Sequence, residues 1–175
     1  MAQLNFYSFP QAHGGVNKLS ISVATLFVRP MTLFDSLSWR TINLALEWDL
    51  GAGTVTLSMS IGLYSLTGST LSLANSISGT TSRSNDAIGY FSMNATSATQ
   101  NITPGNWWLG MLGSYGASSI SMYGQSRNPG NAFPGAFING RMTASTNALP
   151  GSIATSDLDI TGSDAMHNPF IILTA

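Results

Sequence analysis

The sequence has 175 residues, a formal net charge of −1 and no cysteine, and only 7% of its residues are charged. A chain of this length suits one domain, and the lack of cysteine excludes a disulfide framework and thiolate metal or redox sites. The six basic residues are dispersed along the sequence, so they supply no basic stripe for a phosphate backbone, and we expect no nucleic-acid partner.

The first 17 residues are predicted to form an extended amino-terminal arm. Phe6, Tyr7 and Phe9 are apolar anchors, whereas Pro10 and the Gly14-Gly15 pair interrupt any long element. We expect this arm to gain order by binding a partner protein. The arm also lacks a basic region followed by an apolar run, and no segment reaches the roughly 20 apolar residues that span a bilayer, so we expect neither a secretion signal nor a membrane span.

Residues 18–175 are predicted to form a β-sandwich, because the polar positions are mostly Ser, Thr, Asn and Gly, which suit strands and turns. The first main strand is predicted over 19–28 and ends at Arg29-Pro30, and residues 31–38 are interpreted as a connection. A second strand alternates apolar and polar residues over 41–48, with its apolar positions at Ile42, Leu44, Leu46 and Trp48.

The clearest strand covers residues 54–64. Its apolar face is formed by Val55, Leu57, Met59, Ile61 and Leu63, and the opposite face is lined by hydroxyls. A turn centred on Gly68 connects it to a strand with Leu71 and Leu73, which predicts a hairpin. The tract 76–87 is rich in Ser, Thr, Asn and Gly and is interpreted as a long surface loop before a further strand at IGYFSM.

The stretch NWWLGML is apolar on both of its strand faces. Trp107, Leu109 and Met111 point one way, and Trp108 and Leu112 point the other way. An isolated sandwich would leave one set against water, so we favour contact with a second subunit through these five residues. The alternative is that the arm, or a long loop excursion over 125–151, covers the second face.

Glycines and prolines interrupt residues 125–151, and the chain ends in a short apolar strand in NPFIILTA. About eight to ten short strands with turns between them predict an all-β fold, an antiparallel two-sheet sandwich of jelly-roll-like topology with an extended arm.

No catalytic constellation is predicted. Asp164, His167 and one of many serines could be combined into a triad on paper, but no G-x-S-x-G motif occurs and we expect no enzyme. Residues 157–164 resemble the first half of a calcium loop, but Asn168 stands where a closing glutamate belongs, so an acidic turn is favoured and no metal or cofactor is expected. Five aromatic residues could stack on sugars, although we favour core positions for them: Trp39, Trp48, Tyr64, Tyr115 and Tyr123.

The succession GLYSLTGSTLSLANS (62–76), a polar loop, and ITPGNWWLGMLG (102–113) resembles a pattern in β-sandwich structural proteins of tailed bacteriophages, namely tail-fibre domains and capsid-decorating proteins. The resemblance covers about a third of the chain. It implies a homo-oligomer, most often a trimer, that is a component of the particle and has no active site.

Two functions follow from this resemblance. A capsid cement or decoration protein would sit on the capsid surface after assembly in the host cytoplasm, and would bind the major capsid protein or other virion proteins. A tail-fibre or receptor-binding domain would recognise a host-surface glycan. We favour the cement protein, because the chain has no fibrous or coiled-coil shaft and because its aromatic arm can fasten to a neighbour.

Overall fold

The computed structural model describes residues 16–21, 24–49, 53–94, 100–115, 119–126, 140–143, 147–159, 167–169 and 171–174. These residues confirm the all-β fold class. The strands are β1 (Val16–Ser20), β2 (Thr25–Leu33), β3 (Leu37–Trp39), β4 (Thr41–Asp49), β5 (Val55–Thr67), β6 (Thr70–Arg83), β7 (Ala87–Asn94), β8 (Gln100–Ile102), β9 (Gly105–Tyr115), β10 (Ser119–Ser126), β11 (Gly140–Thr143), β12 (Ser152–Ala154), β13 (His167–Pro169) and β14 (Ile171–Thr174). A single turn of 3-10 helix covers Thr155–Asp157.

The strands form two six-stranded sheets and a small β3–β8 pair, and every pairing is antiparallel. In the first sheet, β1, β10, β4 and β14 lie in that order, with β13 paired to β10 and β7 paired to β4. In the second sheet the order is β11-β2-β9-β5-β6-β12. The two-sheet antiparallel sandwich is therefore found, and its jelly-roll connectivity stays a prediction.

The carboxyl-terminal segment is built into the first sheet, as the apolar run at its end predicts. Strands β10 and β4 pair directly only between residues 119–122 and 46–49. Outside these residues β10 pairs with β13, and β4 pairs with β14. The chain end therefore occupies the space where the two central strands separate.

The inner faces of the two sheets enclose the main core. Its largest fully buried side chains are Trp39 and Trp48, and the Trp48 and Phe91 rings meet edge to face with their centroids 5.8 Å apart. The predicted alternations of β4 and β5 are confirmed, because the apolar set of each strand lies in this core. Burial of these side chains supplies the main stabilisation of the fold.

The predicted first strand is instead divided between the two sheets. Ala24 has a φ of +60°, and on either side of it β1 pairs with β10 while β2 pairs with β9. Strand β2 also continues through Pro30 to Leu33. Its other neighbour, β11, pairs only as far as Val28, and a proline is tolerated where a strand has such an open side.

Strand β6 was only partly predicted, because the tract 76–87 is a strand up to Arg83 and not a loop. A bulge opposite Leu63 places Ala74 and Asn75 against a single residue of β5. This extra residue reverses the alternation of the strand. Leu71 therefore faces outwards from the sandwich, whereas Ile77 lies in the core between the sheets.

Candidate functional site

The outer face of the second sheet carries a second apolar cluster, separate from the core between the sheets. Strand β9 contributes Trp108 and Leu112, and Tyr64 of β5 lies beside them. The remaining buried members come from β2, β6 and the segment after β11, and they are Leu26, Val28, Leu71, Ile153 and Leu158. This part of the outer face is therefore as apolar as a core.

A segment that we call the strap, residues 140–143 and 147–159, covers this cluster. Strand β11 pairs with β2 near one edge of the sheet, and β12 pairs with β6 at the opposite edge. Between them, the described part of the strap packs against the cluster. It then returns, because Asp159 exchanges two backbone hydrogen bonds with Arg141, of 2.8 and 3.1 Å. The strap thus reaches both edges of the sheet and comes back to the first.

Tyr64 anchors the middle of the strap. Its hydroxyl donates a hydrogen bond of 3.0 Å to the Pro150 carbonyl, and burial raises the pKa of this phenol to about 12. The ring needs glycine on the neighbouring strand, because a Cβ at Gly110 would lie 2.6 Å from Tyr64 Cε2. Two backbone bonds of 2.9 Å, from Leu73 N to Gly151 O and from Thr155 N to Ser69 O, hold the strap beside it.

The residues predicted as an oligomer interface lie on β9 with the predicted facing. Leu109 and Met111 belong to the core between the sheets and Trp107 packs against it, whereas Trp108 and Leu112 face the strap. Trp108 is 8% exposed and Leu112 is 2% exposed within a single chain. The apolar Trp108 face of β9 therefore does not require a second subunit to cover it. The oligomer interface stays a prediction, and the two-sided apolar strand no longer supports it.

The covering segment begins within the range predicted as an excursion over 125–151 and extends beyond it. Of the predicted excursion, residues 125 and 126 belong to β10, residues 140–143 form β11, and residues 147–151 lie on the second sheet. Cover by this range was the alternative left open by the sequence. Residues 127–139 and 144–146 of the excursion lie outside the described part of the chain.

Another part of the outer face is lined by hydroxyl groups. Strands β5 and β6 place Ser60 opposite Ser78, and the register continues outwards with two further hydroxyl pairs, Ser58 with Thr80 and Thr56 with Ser82. The Thr56 and Ser82 hydroxyl oxygens are 2.8 Å apart. We call these three pairs the hydroxyl rows. The sequence predicted the hydroxyl face of β5 but missed its β6 partners, although the period-two spacing of Ser76, Ser78, Thr80 and Ser82 signals a strand face.

A cleft of about 330 Å³ lies where the strap meets the hydroxyl rows. Its polar lining residues are Ser60, Ser76, Ser78 and Asn147, and its apolar lining residues are Leu73, Ala148 and Leu149. Ile77 also lines the cleft, but its side chain lies in the core on the other face of the sheet. None of these eight residues carries an ionisable side chain. The cleft can therefore exchange hydrogen bonds and apolar contacts with a ligand but offers it no charge.

Several charged side chains elsewhere in the described chain have partners of their own. Arg29 is buried and donates hydrogen bonds to the carbonyls of Val28 and Gly140, at 2.9 and 3.3 Å. On the first sheet the Tyr123 hydroxyl donates a 2.5 Å hydrogen bond to Glu47. Arg141 and Asp159 form an ion pair at 3.4 Å at the edge of the strap.

The candidate sugar-stacking residues do not form an exposed platform. Trp39, Trp48 and Tyr64 are buried in the two clusters, as the preference of aromatic residues for cores indicates. Tyr123 is half-buried on β10, and the side chain of Tyr115 is not described. Any sugar site in the described chain therefore has to use other groups.

The remaining sequence candidates fall wholly or partly outside the described residues. The arm anchors Phe6, Tyr7 and Phe9 lie outside, and β1 starts at Val16, inside the predicted arm boundary. Of the calcium-loop stretch, residues 157–159 are described, and Asp159 is paired with Arg141. Residues 160–164 are not described, and the described residues contain no group of three or more acidic, His or Cys side chains placed to hold a metal.

Within the described residues there is no helix of the length and apolar character that crossing a membrane requires. No protein-family model matches the chain, and comparison with curated proteins and with solved structures finds no match.

Proposed function

We propose that this chain is a non-enzymatic structural protein of a bacteriophage virion, a capsid cement or decoration subunit that stabilises the shell by bridging coat subunits. One observation carries the proposal. The two stretches that resemble phage proteins, 62–76 and 102–113, lie on adjacent strands, with Tyr64 paired to Trp108. The stretches are therefore one contiguous piece of the second sheet, so the resemblance concerns a structural unit and not two separate similarities.

The proposal gives the amino-terminal arm the role of an attachment segment. The proposal assigns Phe6, Tyr7 and Phe9 to a coat subunit, where an extended aromatic segment can bury apolar surface. Many copies, each with a modest contact, stabilise a shell by mass action and avidity.

The proposal includes a homotrimer on the capsid surface, after assembly in the host cytoplasm, with the major capsid protein or other virion proteins as partners. Its contacts depend on apolar burial and on hydroxyl and backbone hydrogen bonds, because 7% of the residues are charged. Such contacts are affected little by screening. Attachment is accordingly expected to be nearly constant between low and moderate ionic strength.

The experiment compares particles that carry this protein with particles that lack it. Decorated particles are expected to resist heat or pressure better, and quantitative mass spectrometry is expected to find many copies per shell. The attachment assay is then repeated across a salt series. Equal resistance of bare and decorated particles, or a few copies located at the tail, would overturn the decoration role.

A second candidate is a tail-fibre or receptor-binding domain that recognises a host-surface glycan. It is favoured by a different observation, the hydroxyl end of the second sheet that the strap leaves uncovered. The copy number and position on the virion distinguish the two candidates.

A further inference from the structure

We propose that the cleft between the strap and the hydroxyl rows is a binding site for a neutral saccharide. The proposal names a site and a ligand class for the receptor-binding candidate, and it rests on that candidate for its biological setting. The binding itself is a property of the isolated chain. It can therefore be measured without a particle.

The lining excludes a charged ligand as the preferred occupant. The three serines, Asn147 and the four apolar residues of the cleft cannot neutralise a carboxylate, a phosphate or an ammonium group. Transfer of such a group out of water without a partner is costly. A neutral ligand avoids this cost.

The polar groups match a polyhydroxylated molecule. A serine hydroxyl can donate one hydrogen bond and accept two, and the Asn147 amide does both as well. Ser78 already has a partner within the chain, and a hydroxyl with one partner retains capacity for another. Sugar hydroxyls have the same dual character, so either partner can adjust its orientation to the other. Leu73 and Leu149 provide the apolar surface that a sugar ring's C–H face requires.

The cleft is also held in shape before any ligand arrives. At its inner end, a Cβ at Gly62 would lie 2.7 Å from Leu73 and 2.9 Å from Leu149, so the glycine allows the strap to pack down on the sheet. The Tyr64–Pro150 and Leu73–Gly151 hydrogen bonds fix the strap next to the site. A preformed site loses less conformational entropy on binding.

The hydroxyl rows extend the site in one direction. Successive rows are separated by two residues along a strand, which is about 6.8 Å. The rows at Ser58 and Thr56 therefore continue the polar surface away from the cleft. We expect an oligosaccharide to bind more tightly than its monosaccharide, because only the longer ligand reaches the outer rows.

The experiment titrates the full chain with glucose, galactose and N-acetylglucosamine and with neutral oligomers of each, using saturation-transfer NMR and calorimetry. Binding of at least one oligomer is expected. The double variant Ser60→Val/Ser78→Val is expected to weaken it at least about tenfold, since two hydrogen-bonding groups are lost. Ser72→Val is the matched control, because this serine is exposed on β6 outside the cleft.

Asn147→Ala provides a second test that leaves the strands untouched, and it is also expected to weaken binding. Thermal unfolding of each variant verifies that it is folded. Absence of binding by every neutral probe, equal affinity in the cleft variants and the control, or a clear preference for sialylated probes would overturn the site. None of these outcomes bears on the decoration role, which the particle experiments test separately.

Discussion

The Tyr64 hydroxyl and the Pro150 carbonyl are joined by a hydrogen bond of 3.0 Å, which connects a central strand of the second sheet to the middle of the strap. Tyr64 thereby takes part in two features at once, the outer apolar cluster and the wall beside the cleft. Its neighbours are correspondingly constrained, since its ring lies against Gly62 and Gly110. The stability of the strap can be tested at this residue.

We expect Tyr64→Phe to lower the free energy of unfolding by about 1 kcal/mol, because the ring still packs but the Pro150 carbonyl loses its donor. Urea unfolding followed by tryptophan fluorescence measures this loss. Limited proteolysis is expected to cut the strap of the variant faster than that of the wild type. Unchanged stability and unchanged cleavage would mean that the hydrogen bond does not hold the strap.

The stability of the wild-type protein is expected to decrease between pH 10 and pH 12. Burial raises the pKa of Tyr64 from 10.0 to about 12, so in this window the unfolded chain releases the phenol proton while the folded chain retains it. The expected slope is on the order of 1 kcal/mol per pH unit. The Tyr64→Phe variant lacks this phenol, so its stability is expected to fall less over the same pH range. Parallel pH profiles of the two proteins would contradict the raised pKa of Tyr64.

Gly110→Ala is expected to destabilise the protein by about 1–3 kcal/mol, because the new methyl group overlaps the rigid Tyr64 ring. Gly151→Ala is the matched control, since a Cβ at that position meets nothing within 4 Å. The control is expected to be neutral or slightly stabilising. Thermal unfolding compares the two variants, and equal effects would contradict the close packing at Gly110.

Trp108→Ala is expected to cost about 3–5 kcal/mol of stability, and the loss should be the same at low and high protein concentration. The strap of the same chain covers this indole, so its burial requires no association. Phe34→Ala, at a side chain that is 77% exposed, is the control with little effect. A loss that grows on dilution would instead point to cover by a second subunit.

Deletion of residues 1–15 is expected to leave the melting temperature nearly unchanged and to weaken attachment to particles. The deletion ends before β1, which pairs with β10 and has to be kept. Calorimetry measures the first effect, and co-sedimentation with bare shells measures the second. A large drop in melting temperature would place the arm in the fold itself.

Much of the fold follows from alternation of apolar and polar residues, but that signal fails where one strand serves two clusters. In β5 a strict alternation from Val55 to Leu63 predicts the inner face correctly. In β6 the bulge at Ala74 reverses the alternation after Leu73. Beyond the bulge, Ile77 is the last buried apolar side chain of β6. The sequence after Ile77 therefore resembles a loop, and it forms a strand because it pairs with β5.

The candidate site was less predictable than the fold, because it is made by segments distant in sequence. Trp107 and Trp108 were assigned to opposite faces from alternation alone. Which segment covers the Trp108 face depends on how the strap crosses the sheet, and no local pattern encodes that path. The cleft likewise joins Ser76 of β6 to Asn147 of the strap, and only the folded chain brings the two together.

The strap also changes how the two sheets meet other polypeptides. It supplies β11 and β12, strands of four and three residues, as the two outermost strands of the second sheet, and such short strands make poor templates for further pairing. In the first sheet, β7 has eight residues without proline or charge, pairs only with β4 among the described strands, and carries Ile88 at 71% exposure. We therefore expect unwanted strand-to-strand association at high concentration to involve β7 before β11 or β12.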